Sequence, residues 1–464
     1  MNKEKKLNPS LPSGFEDRWG KKLVLKKQLL QVIEKNFIKF GAEPLETPSF
    51  EYTENIGSFL AADEDNPMSD IFSFEDRDKT ISLKYDLSSP LARFYAQNNQ
   101  ELPSIYKRYA IQNVFRNEKA SNARYREFCQ ADFDIIGNVN SAQANAELCN
   151  LISSTLLDIG LNKDQFTINV SNRKIVQGLI DDLKISKDKQ LKVIRAIDKL
   201  DKPGFGLKGV EDLLKKERKD QSGAVTKGAD LNNDQVAKIL NFLKMKDLKE
   251  LKENLKNPLS QEGIKELEEV FEVISYGSNS NQVKTNFTIV RGLAYYSDFI
   301  LETNLNFKVT NNKGKRVDLG SICSGGGYAK LISRFKGVDV PGTGISFGID
   351  RLLFALIQLD QIKIEDQKPV LVCVMEQKYL KNYYEIVDLL RDNNINAEVF
   401  LSTKKNLSKQ LDLANKRELA VAIICGENEF KDNRITIKNL RGEKGKNNQT
   451  IPKSDLINEI KKFV

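Results

Sequence analysis

The chain has 464 residues, with 72 Lys and Arg against 64 Asp and Glu and a net charge of +8; at about 150 residues per domain this is roughly three domains, and both charge signs are spread through the chain. Histidine is absent, which excludes Ser-His-Asp and Cys-His catalysis, histidine general bases and histidine-ligated zinc. The five cysteines (Cys129, Cys149, Cys323, Cys373 and Cys425) form no C-x-x-C pair, so they read as buried thiols of a reducing cytosol and not as a disulfide framework or a thiolate metal site.

In chain order, residues 16–40 have the apolar spacing of an amphipathic helix. Gly41 to Phe50 carries Pro44 and Pro48 and suits an edge or interface strand. Residues 80–100 read as a strand end and then a helix. Two alternating runs follow, 104–118 and 124–135, joined by a short loop, which predicts an antiparallel hairpin. One of its faces gathers Arg108, Ala110, Gln112, Val114, Arg116 and Glu118 with Arg124, Arg126, Phe128, Gln130, Asp132 and Asp134. A charged sheet face is ordinarily solvated. Phe128 among the charges argues otherwise, and arginines beside carboxylates on a rigid sheet suit a triphosphate and an amino group.

Residues 172–280 are rich in Lys, Asp, Glu and Leu and predict a helical insertion, with helices at Asp234–Leu251 and Gly263–Ile274. Phe287–Thr303 returns to strand-like sequence, and Gly325-Gly326-Gly327-Tyr328 and Gly342–Gly348 follow. Neither stretch is a P-loop or a G-x-G-x-x-G turn, so nicotinamide and P-loop chemistry are disfavoured. A helix from Ile349 to about Leu359 places Arg351 in its first turn, where the helix dipole disfavours a cation and an anionic ligand would compensate. From Pro369 onward, strands alternate with helices, predicting a small α/β domain with a largely parallel sheet. From Lys368 to the end there are 18 basic and 13 acidic residues. No run approaches about 18 consecutive apolar residues and the charged start precedes no apolar stretch, so neither a membrane span nor a secretory signal is expected.

The Pro48 segment, the hairpin around Phe115-Arg116-Asn117-Glu118 and the glycine-rich strand followed by Arg351 resemble, in that order, motifs one, two and three of class II aminoacyl-tRNA synthetases. Leu83-Lys84-Tyr85-Asp86-Leu87-Ser88-Ser89-Pro90 and Val290-Arg291-Gly292-Leu293-Ala294-Tyr295-Tyr296 are similar to the signatures of the histidyl-tRNA synthetase family. The stretches through Lys409-Gln410-Leu411 and Ala420–Glu427 resemble that family's anticodon-binding domain, so the likeness runs from about Pro12 to the end.

The resemblance implies an α+β multidomain fold. A class II antiparallel-sheet catalytic domain would occupy 1–171 and 281–366, a helical insertion 172–280, and an α/β anticodon-binding domain 367–464. It implies that Arg116, Glu118, Arg124, Phe128 and Arg351 bind ATP and that Arg116, Arg291 and Gln130 serve catalysis. Asp86, Ser88, Gln130, Asp134, Tyr295, Tyr296 and Tyr328 would bind histidine, Gln130 through the substrate carboxylate. It further implies ATP with Mg²⁺ bound to it, no structural metal, L-histidine and histidine tRNA as partners, a homodimer built partly on the Pro48 segment, and a cytoplasmic enzyme away from membranes.

Three departures stand out. The family's Gly-Gly-Arg-Tyr-Asp is Gly-Gly-Gly-Tyr-Ala around Tyr328, the loop Lys119–Ala123 lacks the Pro-Gln-type sequence, and Asp134 stands where many bacterial members have glutamate. The rival readings are a non-catalytic histidine-binding paralogue, of the ATP phosphoribosyltransferase regulatory type, and a class II synthetase for glycine, proline or threonine. The intact C-terminal stretch argues against the first and the Arg291–Tyr296 signature against the second.

Overall fold

The computed structural model describes residues 8–56, 70–119, 124–201, 205–219, 225–277, 280–290, 296, 298–310, 314, 316–317, 319–359, 368–401, 406–442 and 448–463. By contacts the chain divides into two units, Met1–Ile362 and Lys363–Val464.

The first unit is built on an eight-stranded sheet. Its strands run in the order Glu43–Pro44, Ile105–Phe115, Glu127–Gly137, Gly342–Gly348, Cys323–Gly327, Phe299–Leu305, Phe166–Asn172, Val283–Thr285. The central pairs are antiparallel, and the two edge strands add in parallel. The helix Gly20–Lys39 lies on the back of the sheet, where Phe37 stands 5.6 Å from the Phe133 ring and 5.8 Å from that of Tyr109. The odd-numbered Cys129, Ala131, Phe133 and Ile135 are all buried. The even-numbered residues of the same strand are thereby turned to the opposite face.

The Pro48 segment is strand only at its ends, Glu43–Pro44 and Phe50–Tyr52. Between them Thr47 is held by side chains: its carbonyl accepts from Gln112 Nε2 at 2.9 Å and from Lys84 Nζ at 3.1 Å. Lys84 is fully buried, and burial pushes its ammonium down to about 8 while Glu46 and Glu51 oppose the shift. Buried Glu51 pairs with the half-buried Arg93, 2.7 Å, on the helix Ser88–Asn98. These bonds tie the segment to the loop that carries Asp86 and to the helix that begins at Ser88.

Between Asn172 and Val283 the described chain is mainly helical: Arg173–Asp182, Lys187–Ile197, Gly206–Lys215, Asn233–Phe242, Leu248–Asn254 and Pro258–Ser275. The single helix expected over 234–251 is two helices. Asp247 accepts from the Glu250 N–H at 2.8 Å and so starts a new one, because a capping side chain offers the backbone a partner that a continuing helix would not use. The strand expected from Phe287 begins at Phe299. Before it, Asn286 turns the chain by accepting from the Thr288 N–H.

The second unit has a five-stranded sheet in the order Ala397–Val399, Val370–Val372, Val421–Ile424, Arg434–Asn439, Asn448–Pro452. The first three strands are parallel and the last two antiparallel, so the sheet is mixed where a largely parallel one was expected. The helix Glu427–Lys431 is only five residues long, too short for a crossover, and the chain returns antiparallel. Gln410 is fully buried on the helix Leu407–Lys416. It donates to the Val374 carbonyl at 2.8 Å and accepts from the Val374 N–H at 2.9 Å, as a neighbouring strand would. Gln410→Ala strands both backbone groups and costs about 2 kcal/mol; hydrogen exchange at the Val374 amide should accelerate by more than tenfold.

Candidate active site

The hairpin register decides which charges meet. Arg108 lies opposite Asp134, Ala110 opposite Asp132, Gln112 opposite Gln130 and Val114 opposite Phe128. The next strand sets Gly344 beside Asp134, Ser346 beside Asp132 and Gly348 beside Gln130. A Cβ on Gly344 would fall 2.1 Å from Asp134 Oδ1, and one on Gly342 would fall 2.9 Å from the Tyr328 ring. These glycines therefore clear space for side chains that lie across the sheet.

One cleft on this face is lined by Arg116, Glu118, Arg124, Phe128, Gln130, Ser346 and Arg351. All five residues expected to bind ATP, and Gln130, thus meet in one place. Arg116 stacks between two rings, 4.3 Å from the centre of Tyr85 and 5.1 Å from that of Phe128. Its Nε donates to the Tyr85 carbonyl at 3.3 Å. The Tyr85 hydroxyl donates to Glu118 at 3.3 Å, and Arg124 Nε stands 3.6 Å from the other Glu118 oxygen. Burial pushes the Tyr85 phenol up to about 12, so it remains a donor. The signature containing Tyr85 does not by itself reveal this supporting role.

Arg351 lies in the first turn of Ile349–Leu359, and its Nη1 donates to the Ser321 carbonyl at 3.0 Å. The charge suited to the helix start is Asp350 beside it. Asp350 accepts from the Cys129 N–H at 3.0 Å and Lys26 Nζ at 3.3 Å, and Arg18 Nε lies 3.5 Å away. Sequence reasoning missed Asp350, Lys26 and Arg18. The acid at a helix start was a usable signal; its partners more than three hundred residues earlier were not.

A second, more buried group adjoins the cleft. Arg108 and Asp134 are both almost fully buried, with Nη2 2.9 Å from the carboxylate. The same Nη2 donates to the Leu87 carbonyl at 2.9 Å, fastening the junction between the Asp86 loop and the helix that begins at Ser88 to the hairpin. Asp86 accepts from the Ser89 N–H at 3.0 Å, and Asp86 and Ser88 are both buried. The Tyr328 hydroxyl donates to Asp134. Burial raises the Asp134 carboxyl although Arg108 and Tyr328 oppose it, and burial with Asp134 alongside raises the Tyr328 phenol well above its ordinary value. Tyr296 packs against the apolar cluster that includes Tyr328, and its carbonyl accepts from Arg173 Nη1 at 2.6 Å. Arg291 and Tyr295 lie outside the described residues, as do residues 120–123 of the hairpin loop. Gln130 Nε2 donates to Ser346 Oγ at 2.7 Å.

Residues 14–352 match the histidyl-tRNA synthetase family and residues 369–463 the anticodon binding domain family. The chain is 73% identical to the histidine–tRNA ligase of Pelagibacter ubique over the full length of both. It is 39% identical to that of Rhizobium meliloti, with 95% of this chain and 89% of the relative covered. Among solved structures, the histidyl-tRNA synthetase of a Nostoc species superposes with a TM-score of 0.78 at 28% identity, covering 99% of this chain and 100% of that one. An ATP phosphoribosyltransferase regulatory subunit/histidyl-tRNA synthetase from Bacillus halodurans gives 0.70 at 19% identity, covering 88% and 97%, and speaks to the fold alone. The α+β architecture, the paired family matches and the full-length identity lead to one conclusion: the chain belongs to the histidyl-tRNA synthetase family.

Proposed function

We propose that the chain joins L-histidine to histidine tRNA at the expense of ATP, through histidyl-adenylate, releasing pyrophosphate and then AMP. The observation that carries this reading is the convergence of Arg116, Glu118, Arg124, Phe128, Gln130 and Arg351 on one cleft. Arg116 would hold the α-phosphate, Arg124 and Arg351 the outer phosphates, Glu118 the adenine edge, and Phe128 would stack on the base. Asp86 and Ser88 would take the substrate α-amino group, Asp134, Tyr295 and Tyr296 the imidazole end, and Tyr328 would line that pocket. Gln130 would face the amino acid and Arg291 the reacting phosphate.

The substrate carboxylate attacks the α-phosphorus, and the transition state gains negative charge that fixed guanidinium groups stabilise without reorganising. In the second step a ribose hydroxyl of the tRNA attacks the activated carbonyl. A phosphate oxygen of the adenylate takes its proton, which suits a protein without histidine. Mg²⁺ would arrive on the phosphates of ATP, since its octahedral shell is filled mainly by phosphate oxygens and water. The carboxylates that line the cleft are already engaged, Asp350 by Lys26, Arg18 and the Cys129 N–H and Glu118 by Tyr85 and Arg124, so the ion would be held mainly through the nucleotide.

In the same reading, 1–171 and 281–366 form the catalytic domain around the insertion 172–280, and 367–464 binds the anticodon. Its excess of basic residues would neutralise tRNA phosphates. A homodimer is supported by the exposed Phe50, Tyr52 and Phe74 of the small sheet formed with the Pro48 segment. Five buried free cysteines suit a reducing cytoplasm. Among the described residues no helix is long and apolar enough to cross a membrane.

The test is ATP–pyrophosphate exchange with each standard amino acid in turn. Exchange with histidine alone is expected. Histidine binding without exchange would turn the assignment to a regulatory paralogue, and exchange with glycine, proline or threonine to a different synthetase.

A further inference from the structure

One carboxylate on the active face has no place in the chemistry above. Asp132 lies between Gln130 and Asp134 on its strand, with Ala110 across from it on one side and Ser346 on the other. It is 3% exposed, and its Oδ1 is buried without a hydrogen-bond partner. Ser346 stands directly across from Asp132 on the next strand of the same sheet face, and Ser346 Oγ is 2.7 Å from Gln130 Nε2. Carboxylate, hydroxyl and amide thus form a chain that ends at the cleft.

The chain has a direction. An ionised carboxylate only accepts, and a hydroxyl has a single hydrogen to give. When that hydrogen goes to Asp132, Ser346 can only accept from Gln130, so the amide must turn its NH₂ toward Ser346. Gln130 Oε1, which is buried and has no partner in the protein, is then the amide end left for a ligand. Without a carboxylate behind it, the serine could equally donate to Oε1, and the two amide orientations would compete.

We propose that Asp132 is a positioning residue for amino-acid activation: through Ser346, its carboxylate fixes the Gln130 amide so that an acceptor oxygen meets the substrate. The partner for that oxygen is a donor, which matches the substrate's α-ammonium group and not its carboxylate. This rests on the histidine-activating reading of the cleft.

The charged surroundings make the relay sensitive to protons. Asp132 feels the charges of Arg108 from the neighbouring strand, Asp134 from its own and Asp86 from the loop before Ser88, while the Cys323 thiol lies near it on the other face of the sheet. Burial pushes its carboxyl up to about 7, against the pull of Arg108. A protonated Asp132 becomes a donor to Ser346, the relay reverses, and Oε1 is no longer held for the substrate.

The experiment is histidine-dependent ATP–pyrophosphate exchange by wild type, Asp132→Asn, Ser346→Ala and the double variant. Each single change should raise KM for histidine about tenfold, the scale of one hydrogen bond, with KM for ATP unchanged and a cooperative melt showing that each variant is folded. The double variant should be no worse than the more affected single. The ratio of histidine KM values, Asp132→Asn over wild type, should fall toward one as pH drops from about 8 to about 6; titration of free histidine is common to both proteins and cancels. Unchanged KM in both folded variants, multiplying effects in the double, or a ratio flat with pH would overturn the proposal. Should Asp132→Asn fail to fold, Ser346→Ala takes its place in the ratio, with the same outcomes. A wild type without histidine-dependent exchange would fail the activation reading itself and is told apart from these by that control.

Discussion

Arg116→Ala is expected to slow histidine-dependent pyrophosphate exchange by about 10²–10³-fold, the usual consequence of removing one fixed donor to a developing charge. The folded state should hardly change, because Arg116 is only partly buried at the cleft. Its orientation is imposed by the structure: rings on two sides and the Tyr85 carbonyl on Nε leave the guanidinium few ways to turn. Arg116→Lys keeps the charge but loses the planar fork and should recover only part of the rate. The measurement is exchange at saturating ATP and histidine beside a thermal melt. A rate within about threefold of wild type in a folded Arg116→Ala protein would remove Arg116 from the phosphate site.

The second large effect is on stability. Arg108→Met should cost about 3–5 kcal/mol, because it leaves buried carboxylates without their cation. Asp134 is 2.9 Å from Arg108, and Asp132 also feels its charge. The sign with pH follows from the direction of the shifts. Both carboxyls are raised above the ordinary value of 3.8, so in the folded protein they favour the proton. Groups raised in this way give stability that is present at low pH and lost as pH rises through the folded value, about 7 for Asp132. The penalty of Arg108→Met should therefore grow from mildly acidic to neutral pH and shrink on acidification. Urea midpoints of wild type and variant at several pH values measure it. A penalty that grew on acidification would show that the two carboxylates do not depend on Arg108.

The same neighbourhood separates local from distant information. Alternation in 104–137 placed Arg108, Gln112, Gln130, Asp132 and Asp134 on one face, and the register confirms that they share it. A strand's side-chain period is a property of its own backbone, so it can be read from a few residues. The absence of histidine and the separated cysteines likewise bounded the chemistry at once. Arg351 was noticed for its place in a helix turn, but the partner suited to that turn proved to be Asp350, bound to Lys26 324 residues away in sequence. The short helix Glu427–Lys431 hid an antiparallel return that α/β alternation does not predict.

By itself, then, the sequence determined the strand faces, the ordered motifs and the exclusion of histidine chemistry, all carried by short-range pattern or by composition. Only the tertiary structure decided which charges became partners and how deeply they were buried. Tyr328 reaches Asp134 across 194 residues, and Gly344 keeps that carboxylate's place open. Desolvation then sets the protonation of Asp132 and Asp134. Burial depends on everything packed around a group, and no local pattern encodes it.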